Sequence, residues 1–400
     1  MSLGAWFLLG LVLLAASLRW INPLRGYQFT GWILVAVTVA MLHPQQCLHA
    51  GSLDLRSPWL ILTVVQLVMF GMGTQMSLDD FSGVIRQPRG VLVGVLCRFT
   101  VMPLTGFILT KLVHFQPEVA AGVILIGSCS SGLASNVMAY LARSNLALSV
   151  TITAVTTLLA VVLTPLWMKW LAGTLVQVHA LNLMVEIVKI VLVPVGAALL
   201  HDYLKHASPA RRRLIHVLAW VGTVILAMLL WLDVWRQAFP PHSSARILVP
   251  LGEYGVGAIL FGALYHGLAG MLPWLDRWVP TLSMAGIVYF TLVTTAAGRD
   301  QLMAIGPWLF LVAVLHNSIG YALGYGCSRA AGLDKTSARS VAFEVGIQNG
   351  GMASGIAGAA GQLGTMGLAA AIFSPWMNIS GSLLANYWRK RPVQVVMDEK

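Results

Sequence analysis

Long apolar stretches recur from one end of the 400-residue chain to the other, each near the ~20 residues that cross a bilayer. Thirteen are read, at 2–19, 31–48, 58–77, 90–112, 119–142, 147–171, 181–200, 214–235, 247–271, 281–298, 304–327, 338–360 and 366–388. They leave no stretch for a separate soluble domain. Hydrophobic residues make up 58% of the chain and charged residues only 10%. A soluble fold carries roughly 25% charged residues, and one of this size has too little interior to hide so much apolar surface. Lipid-exposed backbone must satisfy its own hydrogen bonds, and the ~10-residue alternation of an outer-membrane barrel is absent. The expected fold is an all-α integral membrane protein.

Basic residues cluster at Arg86 and Arg89, at Lys205 with Arg211, Arg212 and Arg213, at Arg329, Lys335 and Arg339, and at Arg389, Lys390 and Arg391. An even number of spans separates consecutive clusters, so all fall on one side, which the positive-inside rule makes the cytoplasm. The net charge of +11 therefore reads as topology, and split among short loops it gives no nucleic-acid footprint. The expectation is a multi-pass protein of the cell (inner) membrane with a cytoplasmic C-terminus. No Lys or Arg precedes residues 2–18, whereas Arg19 and Arg25 follow them, which favours an uncleaved span over a secretory signal. Cys47, Cys97, Cys129 and Cys327 show no metal spacing and read as small buried apolar residues. No HExxH occurs among the histidines, and no cofactor is expected.

Polar residues at membrane depth are costly, so each cluster of them is a candidate site. Three stand out: Gly127-Ser-Cys-Ser-Ser-Gly-Leu-Ala-Ser-Asn136, Phe343-Glu-Val-Gly-Ile-Gln-Asn-Gly-Gly-Met-Ala-Ser-Gly355, and Arg98 deep in the span Val91–Leu112. The first two are rich in poor helix formers and predict helix breaks, which membranes tolerate only where the freed backbone lines a cavity or an ion site. Breaks at comparable places in two halves of a chain point to inverted repeats with a site between them. Close packing by small residues is the competing explanation, but it needs neither Glu344 nor Gln348. Ser149 and Thr153 share a helix face. Neutral oxygens with one carboxylate are hard ligands, suited to Na+ rather than to a transition metal.

At these residues the chain resembles the bile acid:sodium symporter family. The matching stretches are Phe70-Gly-Met-Gly-Thr-Gln-Met-Ser-Leu-Asp-Asp-Phe81, Ala134-Ser-Asn-Val-Met-Ala-Tyr-Leu-Ala-Arg-Ser-Asn145, Leu148-Ser-Val-Thr-Ile-Thr153, Val314-Leu-His-Asn-Ser-Ile-Gly-Tyr321, Glu344-Val-Gly-Ile-Gln-Asn349 and Asn378-Ile-Ser-Gly-Ser-Leu-Leu-Ala385. The resemblance implies a ten-helix core of two inverted five-helix repeats, arranged as panel and core domains with crossed discontinuous helices. About three extra spans are added. It divides the chain into an extra N-terminal span at 1–30, repeat segments at 31–205 and 281–400, and an insertion at 206–280 holding two spans. One sodium site then maps to Ser135, Asn136, Ser149, Thr153 and Glu344, and a second to Glu344, Gln348 and the backbone of Val345 and Ile347. Substrate contacts are expected near Asn349, Leu133, Met377 and Asn378. The implied activity is sodium-coupled symport of a small organic anion by alternating access.

The chain departs from the family pattern at Arg98, where a Gln usually completes the second sodium site, and at Leu133 and Met377, usually Thr and His. The last two make the crevice more apolar and point to a more hydrophobic carboxylate. A guanidinium stays protonated. Arg98 either replaces the second ion by pairing with Glu344 or its neighbours, or faces the crevice and an anionic substrate, or turns to a carbonyl or a water-filled pocket and leaves both sites intact. Alternatives to sodium symport are a sodium-independent or proton-coupled carrier titrating Glu344, and a membrane-embedded lipid-modifying enzyme built on Asp79 and Asp80. Adjacent carboxylates at a helix start are more often a cap.

Overall fold

The structure, a computed structural model, describes residues 3–18, 20, 28–234, 245–391 and 393. Arg19, Arg25 and the tail 394–400 lie outside them. All thirteen apolar stretches form helices. The first run is α1 (Leu3–Ser17), α2 (Gln28–Leu42) and α3 (Pro44–Leu48), then a hairpin of β1 (His49–Ala50) and β2 (Leu53–Asp54), then α4 (Pro58–Gly73). A turn at Leu78–Ser82 and α5 (Gly83–Arg86) lead into α6 (Pro88–Leu112), α7 (Pro117–Ser128), α8 (Ala134–Leu141) and α9 (Leu146–Trp167). Next come α10 (Ala180–Ile187), a π-helical turn at Val188–Leu192, and α11 (Val193–His206). They are followed by α12 (Pro209–Val234), α13 (Ala245–Met271), α14 (Trp274–Ala297), α15 (Arg299–Ala330), α16 (Lys335–Gly346), α17 (Gly350–Ala359) and α18 (Gly367–Arg389).

Local chemistry sets many starts. Pro58, Pro88 and Pro117 open α4, α6 and α7, where a missing N–H costs nothing. Asn145, Asp334 and Asn349 cap α9, α16 and α17 through their side-chain oxygens. Two boundaries differ from expectation. The helix expected at 281–298 begins at Trp274, because Asp276 in its first turn and the aromatic residues there extend it into the interface. The stretch 58–77 ends at Gly73 and turns by 65° into Leu78–Arg86. Asp80 caps that turn, its carboxylate accepting the Ser77 amide at 2.7 Å. Among the described residues, eight helices are long and apolar enough to cross a membrane, nine if this bent pair is one span. Cys327 corrects the expectation of four buried cysteines: it faces outward from α15 and is exposed, while Cys47, Cys97 and Cys129 are buried.

Two groups of helices pack together. In one, α14 lies against α2 and α4, and α4 against α11. In the other, α15 packs on α6, α16 and α18, and α9 packs on α6, α8 and α16. The α12–α13 hairpin is peripheral: 6% of the most apolar stretch within Pro209–Trp231 is buried, against 56% of that within Leu146–Ala172. The hairpin docks through α13 onto α11. The basic clusters gather at one end, where the Arg89 guanidinium sits against Gly332, Arg339 donates to the Arg391 carbonyl, and the Leu78–Ser82 turn meets α11.

The two expected breaks are real and they meet. Between α7 and α8 the chain is unwound at Cys129–Leu133, and between α16 and α17 at Ile347–Asn349. Ser131 and Gln348 form an isolated antiparallel bridge, with the Asn349 amide donating to the Ser130 carbonyl at 3.0 Å and the Gly132 amide to the Ile347 carbonyl at 3.4 Å. Only glycine fits at 132, since a Cβ there would lie 2.6 Å from the Gln348 carbonyl oxygen. Gly132→Ala is expected to lower stability by about 1–3 kcal/mol through this overpacking. The readout is the apparent melting temperature of purified protein beside Gly257→Ala, where a Cβ meets nothing; equal melting for the two variants would contradict the tight crossing.

Candidate functional site

Glu344 lies on the last turns of α16 and is 0% exposed. Its Oε1 accepts hydrogen bonds from Ser135 Oγ at 2.6 Å and Ser149 Oγ at 2.5 Å, and its Oε2 from Thr153 Oγ1 at 2.8 Å. Ser149 and Thr153, one turn apart on α9, also lie 2.9 and 3.2 Å from Asn136 Oδ1. Ser135 Oγ is also 2.7 Å from the Gly132 carbonyl. The five residues expected at the first sodium site are therefore brought together from α8, α9 and α16. Each hydroxyl carries one proton but faces two acceptors, so oxygens outnumber hydrogen-bond donors around a buried carboxylate. Hard oxygens short of protons form the environment a small cation satisfies.

Arg98, also 0% exposed, reaches from α6 to the crossing. Its Nε and Nη2 donate to the Cys129 carbonyl at 3.1 and 2.5 Å, Nη2 also to Ser130 at 2.9 Å, and Nη1 to Val345 at 3.0 Å. These carbonyls sit at the C-terminal ends of α7 and α16, the negative poles of both half-helices. The side chain thus turns to the backbone beside Glu344, contacts Val345, a carbonyl expected to hold the second ion, and does not line the cavity described below. Gln348 faces the same carbonyl, its Nε2 donating to Val345 at 2.9 Å and to Gly346 at 3.2 Å, while its Oε1 is buried without a partner. The Ile347 carbonyl is engaged by Gly132 and Ser131.

Two participants were not singled out from sequence. Ser131 Oγ lies 3.2 Å from Ser135 Oγ and 3.1 Å from the Glu344 carbonyl, closing the cage from the crossing strand. Asn317 on α15 donates to the Gly346 carbonyl at 2.8 Å and accepts from Ser380 Oγ at 2.5 Å. The signal for Asn317 was available: an amide beside His316 in the middle of an apolar helix. Ser131 carries no such signal, because small hydroxyls in membrane helices usually bond their own backbone.

On the other face of the crossing is a cavity of about 320 Å³ between the two helix groups. Asn349, Leu133, Met377 and Asn378, the expected substrate contacts, all line it. Its wall also holds Met69, Met72, Met138 and Met284 and, among the described residues, no charged side chain. The first residues of α8 and α17, Ala134 with Gly350 and Gly351, border it, so the positive poles of both half-helices open here.

Comparison with known proteins agrees with this geometry. A family model described as "Sodium Bile acid symporter family" matches residues 62–238. An uncharacterized sodium-dependent transporter, YocS of Bacillus subtilis, is 31% identical over 374 residues, covering 94% of each chain. The chain belongs to the sodium bile acid symporter family. Probable sodium/metabolite cotransporter BASS1 (chloroplastic) of Arabidopsis thaliana is 28% identical over 90% of this chain and 73% of its own. The ileal sodium/bile acid cotransporter of Homo sapiens is 29% identical over 72% of this chain and 66% of its own. These names place the chain among sodium-dependent transporters and not among enzymes.

The Asn317 contacts carry a direct expectation. Asn317→Leu removes one of the two side-chain donors to the buried Gly346 carbonyl and the nearest acceptor of the Ser380 hydroxyl, and should cost about 1 kcal/mol. A melting temperature unchanged from wild type would show that the amide does not hold the end of α16.

Proposed function

We propose that the chain is a symporter that couples the entry of a small organic anion to a single sodium ion, with Arg98 standing in for a second ion. The observation that carries this is the donor-poor oxygen cage of Ser135, Asn136, Ser149, Thr153 and Glu344, with a guanidinium bonded to the carbonyl of Val345, the residue after Glu344. In the proposed cycle sodium fixes the crossing of the half-helices. The anion binds in the neutral, methionine-lined cavity against the first residues of α8 and α17. The two helix groups, taken as the panel and core domains, then rock to expose the site inward. Sodium drives the cycle only to the extent that it prefers the substrate-competent state. Leu133 and Met377 in the lining favour a carboxylate with a largely apolar body. The basic end is taken as cytoplasmic, in the cell membrane.

The deciding experiment is thermal stability of purified protein against Na+ at constant ionic strength, with K+ as control. Wild type is expected to show saturable, non-cooperative stabilisation that disappears in Glu344→Gln, and Arg98→Gln is expected to gain a cooperative second ion. No Na+ response in wild type would remove sodium coupling, and a pH-dependent, sodium-insensitive uptake would replace it with proton coupling at Glu344.

Coupling to one ion has an electrical consequence. Each charge moved through the membrane is worth ~2.3 kcal/mol per 100 mV, but one sodium with one monovalent anion moves none. Arg98 travels with the protein in both directions and adds nothing over a full cycle. Uptake of a monovalent anion into proteoliposomes is therefore expected to be unchanged when the potential is clamped from 0 to about −100 mV; a several-fold acceleration would mean that two ions are carried.

A further inference from the structure

The end of the bundle where α11, α12, α13 and α14 meet holds a second concentration of charge, away from the crossing. Asp276 in the first turn of α14 is saturated: it accepts Tyr265 Oη at 2.9 Å, pairs with Lys205 Nζ at 2.8 Å, and lies 3.3 Å from His201 Nε2. These contacts fasten the hairpin to α11 and α14. The charge left over is positive. Arg211, Arg212 and Arg213 follow one another on the first turns of α12, and none of them forms an ion pair among the described residues. Arg212 Nη2 donates to the Lys205 carbonyl at 2.7 Å, but its Nε is buried with no partner. On α13, His266 Nδ1 is likewise buried and unpartnered, as is Nδ1 of His201, whose ring centroid lies 5.4 Å from that of His266. Arg212, His216 and Lys205, all basic, are in electrostatic reach of His266, and Asp276 lies beyond His201, already held by Lys205 and Tyr265.

Among the described residues, three helices therefore bring unpartnered nitrogens and guanidinium groups without an ion pair to one place. On the side of α12 turned away from Arg212, an apolar face runs on from Arg213: Leu214, Val217, Trp220 and Val224 are 58%, 53%, 76% and 67% exposed. Headgroup chemistry and acyl-chain chemistry are adjacent, in the order in which a phospholipid carries them. We propose that this end of the hairpin binds the phosphate of an anionic phospholipid through Arg212, His266 and the flanking Arg211 and Arg213, with the acyl chains lying along α12. The lipid would supply the counter-charge that these arginines lack among the described residues and cover a helix left almost bare there. The site is independent of ion coupling at Glu344.

The test uses the full chain in detergent, titrated with phosphatidylglycerol, phosphatidylcholine or inorganic phosphate, and read by native mass spectrometry and by melting temperature. Phosphatidylglycerol is expected to bind and to raise the melting temperature, while phosphatidylcholine and inorganic phosphate at the same concentration do not. Arg212→Gln is expected to weaken phosphatidylglycerol binding about tenfold, Arg212→Lys to retain most of it, and Arg86→Gln, at the same end but outside the site, to leave it unchanged. Should Arg212→Gln not fold, the exposed Arg211→Gln and Arg213→Gln substitutions combined carry the same expectation. Equal binding of phosphatidylcholine, full reproduction by inorganic phosphate, or wild-type affinity in the arginine variants would each overturn the proposal.

Discussion

The arginine at the crossing is the interaction on which the arrangement rests. Unwinding two helices at membrane depth frees carbonyls that have no water to bond, at several kcal/mol each. Arg98 answers Cys129, Ser130 and Val345 with one side chain, and those carbonyls in turn satisfy a charge whose burial would otherwise be prohibitive. The exchange is reciprocal: without the breaks the guanidinium has no ligands, and without the guanidinium two helix C-terminal ends face each other unneutralised. The position of Glu344, one residue before Val345, follows from it, and so does the direction of the Gly346 carbonyl, which Asn317 holds from the opposite side.

The crossing also explains which parts of the protein were legible in its sequence. The breaks were, because Gly, Ser and Asn in an apolar run oppose helix propensity and have few structural excuses at membrane depth. Oxygen ligands around Glu344 were legible as a set, since a carboxylate among hydroxyls narrows the chemistry, although their assignment to one cage came with the family pattern. The target of Arg98 was not. Residues 98 and 345 are brought together by packing of α6, α15 and α16, and nothing local to either residue encodes that contact. Ser131 and Asn317 were missed for related reasons, being neutral groups whose importance lies in the carbonyls they face. Helix ends at 274 and 73 escaped a hydropathy reading because an amphipathic first turn and a sharp bend are both invisible to an average over many residues.

The hairpin of α12 and α13 differs in kind from the rest. None of its described residues belongs to the cage or the cavity, and it adheres through Tyr265, His201 and the Asp276 cluster to α11 and to α14, which lines the cavity. Its polar fastening at one end and apolar exposure along its length match an element that faces lipid on one side and steadies α11 on the other.

The four short helices around the crossing form a small electrical machine. The C-terminal poles of α7 and α16 converge on Arg98 beside the oxygen cage, while the starts of α8 and α17 open into the cavity. Under the proposed coupling, a cation would settle at the negative pole and a carboxylate at the positive one, on opposite faces of the same backbone knot. Each would then feel the other through the field of a shared quadrupole, with no contact between them. Loading one alone would leave a polarised membrane interior, and that imbalance, rather than a mechanical latch, would penalise movement of a half-loaded carrier.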